Sequence, residues 1–316
     1  MTNFDEKCTI CPRKCNVSRE NFSSDGFKHG FCDMPSDAVI VRAALHPFEE
    51  PCISGSRGSG TVFFAGCNLR CAFCQNRDIS RGFGSLRKDA YTVVDAVGLR
   101  RIFYSLIEQG AHNINLVTPS HYAHIIAEAL EEKLPVPVVW NSSGYDLPET
   151  LELLRGKVDI FMPDMKYSCN ALARDLSKAP DYVDISRAAI SKMYSICGKP
   201  KFDDDGIMRS GLIIRHLVLP GQLENTEGVI DWLYDHLPKS AYVFSLMGQY
   251  TPPSDQSVIS GVIDKYPELL RPISSDEYDA AMAMLEKRKI TSGYFQHLES
   301  VGEDFIPPFG KEYIAY

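Results

Sequence analysis

Three closely spaced cysteines have the clearest capacity for chemistry in this sequence. Cys67, Cys71 and Cys74 form a C-x₃-C-x₂-C pattern directly after a short apolar run. Three thiolates in one short loop can bind three irons of a cubic [4Fe–4S] cluster, which usually takes four cysteines. The missing thiolate would leave one iron open to a cofactor or substrate, much as a catalytic zinc keeps an open position. Zinc is the alternative, but no nearby histidine or cysteine supplies its fourth ligand.

A second cysteine group lies near the start of the chain, at Cys8, Cys11, Cys15 and Cys32. Four thiolates suffice for a closed tetrahedral zinc site, and they suit an auxiliary iron–sulfur cluster equally well. The polar character of the surrounding residues favours zinc, and four free thiols are the remaining alternative. Because this segment has few apolar residues, we expect it to need a metal to fold.

Composition limits the classes of protein to consider. The formal net charge of −8 argues against a broad nucleic-acid surface, which would need a basic stripe. No apolar run approaches the ~18 residues of a membrane helix, and the first residues lack the apolar region of a secretory signal. Clustered cysteines in a reducing cell indicate metal or catalysis rather than disulfides. We therefore expect a soluble, cytoplasmic protein with neither nucleic acid nor membrane as a partner.

From position 61 onward, short apolar runs alternate with helical patterns. The runs lie at 61–66, 113–117, 136–140, 158–162, 211–219 and 241–247. The helical patterns lie at about 92–109, 121–132, 147–155, 182–196, 225–236 and 276–288. Continuous apolar runs are typical of strands buried on both faces of a parallel sheet, and intervening helices indicate βαβ units. The sequence predicts an α/β fold, a partial (β/α)₆ TIM-like barrel or strongly curved sheet.

Four regions follow from this pattern. We predict a small Cys-rich metal-binding segment at 1–35, a connector at 36–60, a core barrel at 61–250, and a C-terminal helix with a covering tail at 251–316. The tail is expected to be irregular after about 289, where it contains Pro307-Pro308.

Polar side chains follow the apolar runs, where ligand sites of parallel α/β folds lie. The alternative for Asn141–Gly144 is an ordinary turn without a binding role. The alternative for Asp164 and Lys166 is a surface ion pair. His121 either begins a helix or lies at the mouth of the barrel, and we favour the site. Arg215 and His216 are adjacent on a strand and face opposite sides, and Arg215 suits a carboxylate or ribose contact better.

The cysteine loop, with the aromatic Phe73 before its third cysteine, resembles that of the radical SAM superfamily. Cys74–Asp78 resembles the C-H-N-R-D motif of pyruvate formate-lyase activating enzymes, with Gln75 in place of their histidine. Gly110–Tyr122 and Arg215–Gly221 resemble motifs of a subgroup of activating-enzyme homologues that includes the radical SAM member of the so-called AmmeMemoRadiSam system. These motifs extend the resemblance over nearly the whole chain.

The resemblance implies a partial (β/α)₆ barrel that binds a [4Fe–4S] cluster and S-adenosyl-L-methionine (SAM). One electron would cleave SAM to a 5′-deoxyadenosyl radical, which abstracts hydrogen from a substrate. Asn141–Gly144 takes the place of a D-T-N-G motif, and Asp164–Lys166 matches a D-x-K motif that would clamp the methionine carboxylate. A G-G-E motif is absent, and Leu116–Pro119 stands in its place. The residues implied in SAM binding are Phe73, Asn76, Thr118, His121, Asn141, Ser143, Asp164, Lys166 and Arg215.

Three functions remain open at this point. The first is an enzyme that forms a glycyl radical on a partner protein, as the activating enzymes do. The second is radical modification of a small molecule or another protein side chain. The third is an electron-transfer or sensor protein, which would leave the polar residues at the strand ends without a purpose. Either enzyme would need a low-potential electron donor of the flavodoxin or ferredoxin type.

Overall fold

A computed structural model describes residues 7–19, 30–253, 255, 259–296 and 309–314. In these ranges the strands are β1 (Ala38–His46), β2 (Ser59–Phe64), β3 (Thr92–Val94), β4 (Ile114–Val117), β5 (Val138–Ser142), β6 (Ile160–Pro163), β7 (Lys201–Phe202), β8 (Met208–Leu217), β9 (Val243–Met247) and β10 (Gly293–Gln296). The helices are α1 (Pro51–Ser54), α2 (Arg77–Ser80), α3 (Ala96–Glu108), α4 (Ala123–Ala129), α5 (Pro148–Glu152), α6 (Asn170–Ser177), α7 (Tyr182–Cys197), α8 (Leu223–His236), α9 (Ser260–Ile263) and α10 (Ser275–Lys287). None of the helices described is both long and apolar enough to cross a bilayer.

The strands form one sheet in the order β10-β9-β8-β6-β5-β4-β2-β1-β3, with β7 paired to β8. The six apolar runs of the sequence are β2, β4, β5, β6, β8 and β9, and they pair in parallel in chain order. Side chains from strands along this series line one cavity, so the sheet curves around a lumen. The predicted α/β class and partial barrel are confirmed.

The prediction that 36–60 is a connector is wrong for the first half of this range. Ala38–His46 forms β1, which pairs antiparallel with β2 on one side and with β3 on the other. Its first four residues, 38–41, are fully buried. The pattern was misleading because Arg42 interrupts this apolar run and a proline-containing stretch at 46–51 follows soon after it. The connector therefore extends the main sheet.

The predicted irregular tail also needs correction. Gly293–Gln296 forms β10, a seventh parallel strand that pairs with β9. The strand is short and begins with glycine, so its sequence carries little strand signal. Pro307-Pro308 lies outside the described residues. Helix α6 was missed as well, because Asn170–Ser177 is only eight residues long and half of those residues are polar.

The amino-terminal half of the lumen is filled with apolar side chains. Helix α1 inserts two residues into a cluster with the inner faces of four strands. The cluster consists of Cys52, Ile53, Val139, Ile160, Met162, Met208, Ile213 and Val243. Burying each such side chain contributes about 1.5–3 kcal/mol. This filling closes the barrel floor and leaves the carboxyl half of the lumen to polar residues.

A capping box begins helix α10 and gives a test of local stability. The Ser274 hydroxyl accepts a hydrogen bond from the Glu277 amide (3.2 Å), and the Glu277 carboxylate accepts one from the Ser274 amide (2.8 Å). We expect Ser274→Ala to lower the free energy of unfolding by about 1 kcal/mol, because an amide of the first turn loses its acceptor. Chemical denaturation measures the change, and Ser275→Ala, one residue further on, is the matched control. Equal losses in the two variants would contradict the assignment.

Candidate active site

One cavity of about 610 Å³ lies at the carboxyl ends of the strands. It brings together all but one of the residues predicted for the cluster and for SAM. These are Cys67, Cys71, Phe73, Cys74, Asn76, Thr118, Asn141, Ser143, Asp164, Lys166 and Arg215. A volume of this size lies within the range of ligand pockets, about 300–1,000 Å³. The sequence therefore placed these side chains at one edge of the sheet, although their roles stay predictions.

The cysteine loop follows β2 and is held by hydrogen bonds to its sulfur atoms. The Leu69 amide donates to Cys67 Sγ (3.3 Å), and the Ser177 hydroxyl donates to Cys71 Sγ (3.1 Å). Cys74 Sγ lies 3.4 Å from the Ser80 hydroxyl. Ser177 ends helix α6, so this helix, absent from the sequence prediction, supports the loop directly.

The three thiols of this loop fit a cluster with one open iron. They are half-buried on one wall of the cavity, and no other cysteine lines it in the described part of the chain. Among the described residues, no three His, Cys, Asp or Glu side chains converge on a single metal ion. A cubane cluster requires a different arrangement, because each cysteine sulfur binds a separate iron. Burial raises the pKa of Cys67 to about 12, so iron would have to displace a thiol proton.

A buried ion network lies beside the loop and joins three strand ends. Asp164 Oδ2 accepts from Lys166 Nζ at 2.6 Å, and Asp164 Oδ1 accepts from Arg215 Nε at 2.9 Å. Arg215 also donates to Asn141 Oδ1 at 2.7 Å. Burial works to raise the pKa of Asp164, but the two cations hold it below its ordinary value. The carboxylate is therefore ionised and fixes both cations at the cavity wall.

Helix α7 supplies a positioning group that the sequence did not reveal. The Tyr182 hydroxyl lies 2.8 Å from the carbonyl oxygens of Ser143 and Asp164, and it accepts a hydrogen bond from the Lys166 amide (3.0 Å). Tyr182 is fully buried. The Tyr182 hydroxyl, on the outer helix layer, therefore fixes the position of the chain after β5 relative to the chain after β6. A tyrosine at the start of an ordinary amphipathic helix gives no sequence signal for this contact.

Thr118 and Phe73 form further parts of the cavity wall. Thr118 has a φ of +60°, a left-handed conformation that costs a non-glycine residue about 1–3 kcal/mol and is common at functional sites. Its amide donates to the Asn141 carbonyl at 2.9 Å, which holds this turn against the next strand. Phe73 is 8% exposed and tilts against Tyr250, with ring centroids 6.1 Å apart.

His121 is the exception, and its predicted place at the cavity mouth is wrong. The side chain is fully buried and does not line the cavity. Its Nε2 atom lies 2.8 Å from the Ala65 carbonyl oxygen, and burial lowers its pKa to about 3. A turn of 3₁₀ helix at Ser120–Tyr122 directs the ring back toward β2, which strand position alone could not indicate. Arg215 faces the cavity, whereas His216 contacts Thr226 of α8, in keeping with strand alternation.

Two carboxylates in the cavity were missed entirely. Glu49 and Glu50 come from the predicted connector, yet both line the lumen. An acidic pair between prolines on a non-repeating segment is ordinary for an exposed turn, so the sequence carried no signal. Only the path of the chain between β1 and α1 brings them inside.

The four N-terminal cysteines are brought near one another and onto the cysteine loop. Burial, and then the neighbouring Cys32, Cys8 and Cys15, raise the pKa of Cys11. The Arg13 guanidinium lies 3.6 Å from the Phe31 ring centroid and donates to the Asn68 carbonyl at 2.8 Å. The four side chains do not converge on one ion in the described ranges, so the zinc and auxiliary-cluster predictions both stay untested.

Metal analysis distinguishes the two predictions for the N-terminal cysteines. We expect a variant with Cys67, Cys71 and Cys74 changed to serine, purified without oxygen, to retain about one equivalent of zinc, because a closed four-thiolate site binds zinc tightly. Elemental analysis and sulfide assay give the measurement. Iron with sulfide and no zinc would show an auxiliary cluster instead, and loss of all metal would leave four free thiols.

Gly144 tests the close packing behind Asp164. It has a φ of +73°, and a Cβ there would lie 2.3 Å from the Asp164 carbonyl oxygen. Gly156 has a similar φ of +77° with open space around it. We expect Gly144→Ala to lower the free energy of unfolding by about 1–3 kcal/mol more than Gly156→Ala. Both variants strain the left-handed backbone, and only Gly144→Ala also brings a Cβ against the Asp164 carbonyl oxygen. Equal losses on denaturation would contradict this packing.

Comparisons with known proteins give the following similarities. No family model matches the chain. The uncharacterized protein MJ0674 of Methanocaldococcus jannaschii is 29% identical over 291 residues, which cover 90% of this chain and 76% of that protein. Streptococcus suis SuiB bound to its precursor peptide SuiA has a TM-score of 0.46 at 11% identity, covering 73% of this chain and 47% of SuiB. A spore photoproduct lyase mutant has a TM-score of 0.48 at 13% identity, covering 80% of this chain and 81% of the lyase. This chain thus spans about half the length of SuiB.

Proposed function

We propose that this chain is a radical SAM enzyme. Cys67, Cys71 and Cys74 would hold a [4Fe–4S] cluster that, with one electron, cleaves SAM bound at its open iron to a 5′-deoxyadenosyl radical that abstracts hydrogen from a substrate. The supporting observation is the trio of half-buried thiols on the wall of the cavity at the strand ends, which no fourth cysteine of the described residues lines.

Lys166 and Arg215, the cations discussed above, would contact SAM directly in this proposal. Lys166 and Arg215 would orient the methionine carboxylate of SAM, because charge-assisted hydrogen bonds from cations are the strong ones. Asp164 holds both cations in place through contacts of 2.6 and 2.9 Å. It also keeps them charged, because its carboxylate raises the pKa of Lys166 and of Arg215 against the effect of burial.

The cysteine loop is largely shielded from water, and its sulfur atoms receive hydrogen bonds from the protein. Phe73 is largely buried and would cover the cluster on one side. The Ser177 hydroxyl donates to Cys71 Sγ and lies 2.5 Å from the Tyr167 hydroxyl, so the serine is oriented toward the sulfur. Hydrogen bonds to cluster sulfurs and burial are among the factors that set a cluster's reduction potential.

Two substrates are compatible with this chemistry. Formation of a glycyl radical on a partner protein is suggested by the resemblance of Cys74–Asp78 to activating enzymes. Radical modification of a small molecule, or of another protein side chain, is favoured by the carboxylates Glu49 and Glu50 in the lumen. A glycine residue offers no charge to match them, so the second form has the stronger support in the cavity itself.

Cleavage of SAM tests the proposal. We expect the anaerobically reconstituted protein, with dithionite and SAM, to form 5′-deoxyadenosine and methionine, measured by liquid chromatography. Cys71→Ser should abolish the product, because the cluster loses one of its three ligands. Cys169→Ser is the matched control, since Cys169 is an exposed and isolated cysteine. A full cluster in the unaltered protein without any 5′-deoxyadenosine would favour an electron-transfer or sensor protein.

The same assay separates the two substrates. Deuterium carried from a labelled glycyl-radical enzyme into 5′-deoxyadenosine would support activation of a partner protein. Absence of transfer from every such partner, with SAM cleavage intact, would favour the second form. Flavodoxin or ferredoxin, each added in place of dithionite, tests the predicted electron donor. The prediction requires that one of them sustain SAM cleavage.

A further inference from the structure

The segment between β1 and α1 places two acidic side chains in the lumen. It crosses the open side of the barrel, from the end of β1 to β9, where Glu50 Oε1 accepts a hydrogen bond from the Ser245 hydroxyl at 2.7 Å. Glu49 Oε2 lies 3.7 Å from the Arg215 guanidinium. The Glu49 amide donates to the Ser54 hydroxyl at 2.9 Å, which fixes the turn into α1. The two carboxylates therefore lie on the lumen side of a rigid turn.

The cations of the cavity do not balance its carboxylates. Lys166 is engaged by Asp164, and Arg215 is shared among Asp164, Asn141 and the more distant Glu49. Three lumen carboxylates thus face two cations. The excess falls at Glu50, which within the described ranges accepts a hydrogen bond from the neutral Ser245 hydroxyl.

Glu50 has an oxygen atom that lacks a partner. Its side chain is buried, with 3% of the residue exposed, and Oε2 has no hydrogen-bond donor within the described chain. Burial raises the pKa of Glu50 from its ordinary value, a cost that the serine hydrogen bond and Arg215 only partly offset. A buried acceptor left unsatisfied destabilises the folded protein, and more so when it carries charge. An unsatisfied acceptor beside a cavity is available to a ligand that donates a hydrogen bond to it.

We propose that Glu50, assisted by Glu49, binds a primary ammonium group of the substrate, and this inference rests on the proposed function. The enzyme would then act on an amine, with the ammonium donating to Glu50 Oε2. An ammonium matches the site in charge and in donor number, whereas a hydroxyl would leave the excess charge of the lumen unbalanced. This anchor and the cysteine loop line one cavity, so a substrate bound at Glu50 would share that space with the cluster.

The amino group of SAM is a different candidate for Glu50, and position argues against it. Glu50 contacts Ser245 within β9 and follows a strand whose end, His46, pairs with Ser59 at the start of β2. The cysteine loop follows the end of β2. Glu50 therefore enters the lumen from the side of the floor and lies level with Arg215, which pairs with Ser245, whereas the cluster cysteines follow the end of β2.

Calorimetric titration of the anaerobically reconstituted protein tests the proposal with three probes that share an n-butyl chain. These are n-butylammonium, n-butanol and n-butyltrimethylammonium, each titrated in the presence of SAM. We expect n-butylammonium to bind about tenfold or more tightly than either of the others, because only it has both charge and donors. Glu50→Gln should lower its affinity to that of butanol, whereas Glu131→Gln, at an exposed position outside the lumen, should leave it unchanged. Gln at position 50 keeps an acceptor for Ser245, so the fold is preserved.

The outcomes separate this inference from the proposed function. Equal binding of the three probes, no binding of any, or full binding by Glu50→Gln overturns the ammonium site whatever happens to SAM. The probe comparison on the unaltered protein needs no variant to fold. Weaker SAM binding by Glu50→Gln without any amine would assign Glu50 to the cofactor, and displacement of the probe by Mg²⁺ or K⁺ would assign it to a metal cation. Selective amine binding without SAM cleavage would retain the site and refute the radical chemistry.

Discussion

Charge held inside the barrel is the constraint on which the arrangement of the strand ends depends. Asp164 follows β6, Arg215 lies in β8, and Asn141 lies in β5, so one hydrogen-bonded network joins three strands. Burying an ion costs several kcal/mol, and removing one partner of a buried pair costs about 3–5 kcal/mol. Each of these strands is therefore held where its polar residue meets the others. The cavity keeps its form because the alternative is an unpaired buried charge.

The outer helices extend this constraint to the cysteine loop. Tyr182 on α7 fixes the turns after β5 and β6, and Ser177 at the end of α6 donates to Cys71. The Ala72 amide also donates to the Leu176 carbonyl at 2.8 Å. The helices between β6 and β8 therefore do more than connect strands. They contact both the turn that carries Asp164 and the loop that would bind iron, so the two parts of the site are packed against the same pair of helices.

The sequence predicted the repeating part of the fold and the strand-end residues. Strands such as β6, found at Ile160–Pro163 against a predicted 158–162, were evident because burial on both faces demands a continuous apolar run. The ends of those strands then located Asp164 and Lys166 without any structure, and strand alternation within β8 indicated Arg215. β1 and β10 were missed because a short run followed by charge, or begun by glycine, resembles a connection. The direction of His121 was missed because it depends on a single turn of 3₁₀ helix.

The missed residues share one property, which is that each acts through a contact with a different element of the fold. Glu49 and Glu50 reach the lumen only because the chain crosses from β1 to β9, a contact between residues 195 positions apart. Tyr182 acts across a helix–strand boundary, and Arg13 across the packing of the N-terminal segment on the loop. Periodicity describes elements, whereas these contacts depend on where separate elements meet. The groups that determine a reaction type lie on the repeating scaffold, and those that select the reactant lie on the segments added to it. Motifs in this chain therefore indicate a chemistry more directly than a substrate, and the three-dimensional path of the connector is what narrows the substrate to a cation.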